Sequence, residues 1–377
     1  MIPKPPRWMP FLAALALNLT LASFGGPALG GEKAPEKVFV GYLYGATRDL
    51  NFKLYTHLCH AFVTSDAEGH LHKSRDVPSR DLADRAHKAG VKIVISLGGW
   101  GFDAQFASIV AKPEALDRYV GAVLAMVDES DYDGVDLDWE YPDTKPEVAG
   151  FETLARRFRE GIDAIGVRKG RAMVQTMAAS SNPGTLRWLD KEFLVATMDW
   201  VNVMTYDYTG DWSEYAGHHS PLFASSKLPA GARHSTEATM KYLIEKRGLP
   251  ADRLAVGIPL YGRGFAVDEP YASTKGLPKA RMPSPTYVNL RKLHLNEGWT
   301  RRWDDETKTP WLIAPDKSRV IGYDDAESVA LKADWAMKQG FRGVFFWQVN
   351  QDRLPDGTNP LQDAARKAFD QAMVKGR

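Results

Sequence analysis

At 377 residues the chain is too long for one small domain and suits a barrel of a few hundred residues with an insertion. Its formal net charge of +1 gives no electrostatic reason to expect nucleic acid or an anionic membrane as partner. The single cysteine, Cys59, excludes an intrachain disulfide. Within the apolar run THLCHAFV it reads as a small core residue rather than a reactive thiol.

The N-terminus comes first. Lys4 and Arg7 precede the apolar run WMPFLAALALNLTLASF, and small residues follow in GGPALGG. This is the three-part layout of a secretory signal peptide over residues 1–30, with Ala28 and Gly30 suited to the cleavage site. Asn18 and Thr20 interrupt the run, which is short for a span of ~20 apolar residues. The expectation is an exported protein, extracellular or periplasmic, with no membrane attachment after cleavage and no glycan on Asn18. Residues 31–37 then form a polar leader.

Past Val38, strand-like runs recur at VFVGYLYG, THLCHAFV, VKIVISLGG, GVDLDWEY, AMVQTMAAS, WVNVMTYD, LAVGIPLYG and GVFFWQV. Helix-like stretches such as SRDLADRAHKAG, KPEALDRYVGAVLAMVDES and DAESVALKADWAMKQG lie between most of them. Eight strands alternating with helices suggest parallel βα units closing into a (β/α)8 TIM barrel, with a doubly wound open sheet as the alternative. No GxGxxG turn follows the first strand, which removes one support for a nucleotide-binding fold. The alternation breaks once, at 264–320, a stretch rich in Pro, Trp and charge. It reads as a small α+β domain inserted after the seventh strand, so that 38–263 and 321–377 are the two parts of the barrel. Its large apolar residues, Trp299, Trp303, Trp311 and Leu312 among them, need burial or a ligand, so it is no disordered linker.

The chemistry concentrates in YDGVDLDWEYPD, Tyr132 to Asp143. From Val135 to Tyr141 polar and apolar residues alternate, which in a strand puts Asp136, Asp138 and Glu140 in one row. In a barrel, Val135, Leu137 and Trp139 would face the helices, and the acids would climb the interior toward the C-terminal mouth. Closely spaced carboxyl groups cannot all ionise easily, so at least one stays protonated near neutral pH. A raised acid beside a second carboxylate is the apparatus of glycoside hydrolysis. No His joins the motif, so no metal is expected, and no cofactor. His218 and His219, adjacent in a polar loop, read as solvated side chains.

DGVDLDWE matches the DGxDxDxE signature of family 18 glycoside hydrolases, the chitinases and chitinase-like proteins. SLGG at Ser96–Gly99, MTYD at Met204–Asp207, GIPLYGRGF and GVFFWQVNQD resemble other strands of that family, in the expected order. The resemblance spans about Val38 to Asp352. It implies a substrate-assisted, retaining reaction in which Glu140 is the general acid and base, and Asp138 and Tyr206 hold the substrate's 2-acetamido group, the nucleophile. It implies that Asp136 shares a proton with Asp138, that Tyr42 and Ser96 steady Asp136, and that Asp207 holds a sugar hydroxyl or the acetamido group. Trp347 matches the Trp that floors the subsite of the distorted sugar, and Trp100 and Trp212 match positions on the leaving-group side, with core packing as the alternative for these two. Phe62, Gly99, Met204, Tyr261 and Arg263 complete the implied cleft, though Arg263 could equally pair with Asp207. The expected partner is chitin or another N-acetylglucosamine-containing oligosaccharide, bound by a monomer. The alternatives are an endo-β-N-acetylglucosaminidase on N-glycans or peptidoglycan, and a non-catalytic sugar-binding lectin.

Overall fold

The computed structural model describes residues 36–375, apart from 73 and 75. The expected signal segment 1–30 and residues 31–35 of the leader lie outside the described residues. Eight parallel strands form a closed barrel: β1 (Val38–Tyr44), β2 (His57–Val63), β3 (Lys92–Gly98), β4 (Gly134–Asp138), β5 (Val174–Ala179), β6 (Trp200–Val203), β7 (Leu254–Pro259) and, last in the chain, β12 (Gly343–Trp347). β12 closes the ring by pairing with β1 and β7. The open-sheet alternative is thereby excluded.

Period-2 alternation sorts each strand's side chains. On β4, Val135 and Leu137, with Trp139 just beyond, join the outer core between strands and helices. That core also takes Phe151, Leu154, Phe158, Ile162 and Ile165, one stripe of the helix Lys145–Lys169. This helix follows the acid-bearing strand and starts cleanly. Thr144 and Glu147 form a reciprocal capping box, and Gly170 ends the helix at φ 67°.

Inside the barrel the lower layer is apolar, with Val38, Val40, Val94, Val174, Trp200 and Ala255. Above it lies a polar layer built on register. Ser96 pairs with Asp136 across β3 and β4, and Asp136 with Thr176 across β4 and β5.

After β7 the chain leaves the barrel for a second sheet of β8 (Arg263–Phe265), β9 (Thr300–Asp304), β10 (Thr309–Ile313) and β11 (Val320–Gly322), antiparallel in the order β8-β11-β10-β9. The helix Tyr287–Asn296 covers one face through Leu290 and Leu293 against Leu312 and Trp299. The other face packs Trp311 and Phe265 on Ala216, in the loop after β6. Asp304 and Glu306 fasten the same loop through Lys227, Ser225 and Ser226. The sheet therefore shares its core with a barrel loop. No helix among the described residues is long and apolar enough to cross a membrane.

Candidate active site

Asp136 sits fully buried in the polar layer and accepts four hydrogen bonds. Tyr42 Oη (2.9 Å) and Ser96 Oγ (2.7 Å) donate to its Oδ2, and Thr176 Oγ1 (2.6 Å) and Asn202 Nδ2 (3.4 Å) to its Oδ1. Burial still raises its pKa despite these donors. Asn202 is itself oriented by Trp200, whose Nε1 donates to Asn202 Oδ1 at 2.9 Å.

One step up the strand, Asp138 is buried, and its Oδ1 has no hydrogen-bond partner among the described residues. Burial, then the neighbouring charges of Glu140 and Asp136, raise its pKa well above the carboxylate range. Strand pairing ends at Asp138, two residues before Glu140, so Glu140 stands at the lip rather than in the ladder. Its pKa is pushed up to about 7, chiefly by burial, with the charges of Asp103 and Asp207 adding, against a 3.1 Å hydrogen bond from Tyr141 Oη. The row of three acids therefore does not carry three charges at neutral pH.

Above the row opens a cleft of about 670 Å3. Of the residues expected from sequence, Tyr42, Phe62, Trp100, Asp138, Glu140, Met204, Tyr206, Asp207, Trp212, Tyr261, Arg263 and Trp347 line it. Asp136, Ser96 and Gly99 do not; they act from beneath or behind. Gly99 has φ 88°, and a Cβ there would come within 2.8 Å of the Phe62 ring, so glycine admits Phe62 to the floor. Phe62 in turn stacks on Trp347 at 5.6 Å, and Tyr42 meets the same indole edge-on at 5.9 Å. Trp100 and Trp212 are 80% and 59% exposed, which rules out core packing for both.

Asp207 and Arg263 do pair. Arg263 Nε donates to Asp207 Oδ1 at 2.8 Å and Nη2 to Oδ2 at 2.6 Å, a bidentate arrangement. The guanidinium also lies 5.0 Å from the Trp212 ring centroid and 5.2 Å from that of Tyr261. Burial pushes the Asp207 carboxyl up, but the paired Arg263, joined by His219 when that ring is protonated, outweighs it and holds the group far below the usual range.

The reading of His218 and His219 as solvated is corrected. Both are buried, at 3% and 1% exposure. His218 lies over Trp311 with ring centroids 4.0 Å apart, and His219 packs between Asp207 and Tyr261. Sequence reasoning also missed Tyr141, Ser180, Ser181, Asn182 and Phe345, all of which line the cleft. Tyr141 was findable, since it ends the alternating run beside Glu140. The Ser180–Asn182 turn follows β5 without any local signal.

The family model described as "Glycosyl hydrolases family 18" matches residues 38–352. Chitinase A1 of Niallia circulans is 29% identical over 295 residues, 72% of this chain and 42% of that protein. Chitinase B of Serratia marcescens is 27% identical over 350 residues, 77% of this chain and 69% of that one. The chain thus spans less than half the length of the Niallia protein. Among solved structures, the Group IV chitinase of Ostrinia furnacalis in complex with allosamidin superposes with a TM-score of 0.79 at 25% identity, over 89% of this chain and 100% of that one. With a closed eight-strand barrel and the acid row on β4, the chain belongs to glycosyl hydrolase family 18.

Proposed function

We propose that the chain is an exported chitinase-type glycosidase that cleaves β-1,4-linked N-acetylglucosamine polymers with retention of configuration, the substrate's acetamido group acting as nucleophile. One observation carries the reading. An acid poised near pH 7, Glu140, stands above a buried carboxyl, Asp138, with an oxygen that no described residue engages, at the base of an aromatic cleft.

Glu140 gives its proton to the glycosidic oxygen as the bond from that oxygen to the anomeric carbon breaks. The acetamido carbonyl oxygen attacks the anomeric carbon from the other side and closes an oxazolinium ring. This intramolecular attack avoids much of the entropy of bringing a separate nucleophile into place. Asp138, whose proton is shared with Asp136 below it, accepts the acetamido N–H at Oδ1 and offsets the ring's positive charge as that proton moves to Asp136, and Tyr206, buried at the cleft wall, aims the carbonyl. Water then adds to the anomeric carbon and loses a proton to Glu140 as the ring opens. Asp207 is unsuited to proton transfer, because Arg263 grips both of its oxygens and holds it ionised. Its role is to hold a substrate hydroxyl or the acetamido group. The face of Trp347 offers a platform for the apolar face of a pyranose. The relatives' chitinase names support the polymer assignment, and the layout of residues 1–30 supports export.

The test is a product profile. A chitin hexamer, a high-mannose N-glycopeptide and peptidoglycan fragments are incubated with the protein, and products are read by mass spectrometry. Shortened chitin oligomers are expected. Release of the N-glycan or cleavage of peptidoglycan with the hexamer untouched would replace this reading.

A further inference from the structure

The buried His219 ring makes two contacts that cannot both be satisfied by one neutral imidazole. Its Nε2 lies 3.0 Å from the Tyr261 carbonyl oxygen, which only accepts, so Nε2 carries a hydrogen. Its Nδ1 then presents a lone pair, and it faces Asp207 Oδ1 at 3.4 Å. No hydrogen bond satisfies Nδ1 among the described residues. Asp207 cannot supply the missing proton as a neutral acid, because Arg263 grips both of its oxygens. Only a proton on Nδ1 converts the opposition into a third donor to the carboxylate.

We propose that His219 is a positioning residue whose Nδ1 gains a proton on acidification and clamps Asp207 against the cleft, tightening its hold on substrate. The inference rests on the proposed sugar-cleaving role for what Asp207 holds, but not for the ring chemistry. The surroundings fit a group that titrates without moving. Ser220, next in the chain, donates to the Thr205 carbonyl at 2.8 Å and accepts from Lys332 Nζ at 3.0 Å. Lys332 is in turn paired at 2.6 Å with Asp324 in full burial. The charged and titratable groups around the ring are Asp207, Arg263, Tyr261, the neighbouring His218, and the Asp324–Lys332 pair behind it. Burial lowers the His219 pKa and the Asp207 carboxylate opposes this, which places protonation on the acid side of the ordinary imidazole value. His219 links Asp207, just past β6, to Tyr261, just past β7, so one proton acts on two cleft residues.

Two measurements test this. Nitrogen chemical shifts of the His219 ring in the full chain, from about pH 8 to 4, should show Nε2 protonated throughout and Nδ1 gaining a proton as pH falls. A proton on Nδ1 with bare Nε2 at neutral pH would overturn the proposal. The second uses the Glu140→Gln background, which removes the titration of Glu140. There, chitotetraose affinity by calorimetry should rise about tenfold as pH falls through the Nδ1 midpoint, the effect of one hydrogen bond to a charged group. His219→Asn places an amide N–H near the Nδ1 position and should abolish the step with binding held at the tight level. His219→Gln places its amide near Nε2 and should bind weakly at every pH. A full step surviving in His219→Asn would contradict the clamp. If no version binds chitotetraose at any pH, the sugar reading fails, while the ring titration still decides the state of His219. The ring measurement on the native residue stands even if either variant misfolds.

Discussion

Glu140 carries the account at the residue scale. Glu140→Gln keeps the shape and removes the proton, so kcat should fall by ~10²–10⁴-fold while binding of chitooligosaccharides persists. Turnover near wild type would assign the acid elsewhere. Its pKa of about 7 also fixes a pH window. The acid form is present below that value, so kcat/KM should decline as pH rises through about 7. The same shift bears on stability. Between the ordinary 4.5 and about 7 the folded state keeps a proton that the unfolded chain has lost, so stability falls as pH rises across that interval. Glu140→Gln should therefore melt higher than wild type at pH 8, by roughly 1–3 kcal/mol, and show no advantage below pH ~4. Equal melting temperatures at both pH values would mean that Glu140 is not raised. His219 shows the limit of reading residues singly. The chain around it is polar, and its burial depends on a carbonyl 42 residues away and, through Ser220, on a lysine 112 residues beyond that serine. No window of local sequence contains those partners.

At the scale of elements, β4 was legible because two periods coincide in it. The strict alternation from Val135 assigns one face to the helices and the other to the barrel interior, and the register with β3 and β5 supplies Ser96 and Thr176 as donors. The ladder's end at Asp138 was not legible, since Trp139, Glu140 and Tyr141 continue the alternation without pairing. The second sheet was hardly legible. Its strands are three to five residues long, too short to show a period against a background of Pro and charge. Nor did sequence show that it shares a core with the loop after β6. That sharing turns Asp304 into a fastener. It is 5% exposed and accepts from Tyr271 Oη at 2.7 Å, Lys227 Nζ at 3.1 Å and the Glu306 N–H at 3.0 Å. Asp304→Ala leaves the half-buried Tyr271 hydroxyl and the Glu306 N–H without their acceptor, while the exposed Lys227 turns to water, and should cost about 1–3 kcal/mol in denaturant unfolding. The loop it holds leads from Asp207 and Trp212 to His219, so KM for chitin oligomers should rise as well. A variant with unchanged stability and KM would show that the sheet and loop are independent.

The described chain is a barrel whose interior changes from apolar at the base to polar in the middle and aromatic at the mouth, and the proposed reaction would use that gradient. The dry lower layers keep Asp136 and Asp138 from ionising freely, and the exposed indoles of Trp100 and Trp212 extend the cleft past the barrel rim. Strand count, closure and the acid row could be anticipated from the chain because each repeats or is local. Of the wall made by Asp207, Arg263, His219 and Tyr261, the family resemblance placed all but His219 in the cleft; His219 was missed because its contacts join segments that meet only when the barrel closes.

The central claim is that the nucleophile belongs to the substrate. The most direct measurement is proton NMR of the fresh product from a chitin oligomer, recorded before mutarotation, with fully deacetylated and cellulose oligomers of equal length run beside it. Two displacements at the anomeric carbon, by the acetamido oxygen and then by water, predict β-product from the acetylated chain and no cleavage of the other two. Initial α-product, or cleavage of the cellulose oligomer at a comparable rate, would contradict the account and leave an enzyme carboxylate as base or nucleophile.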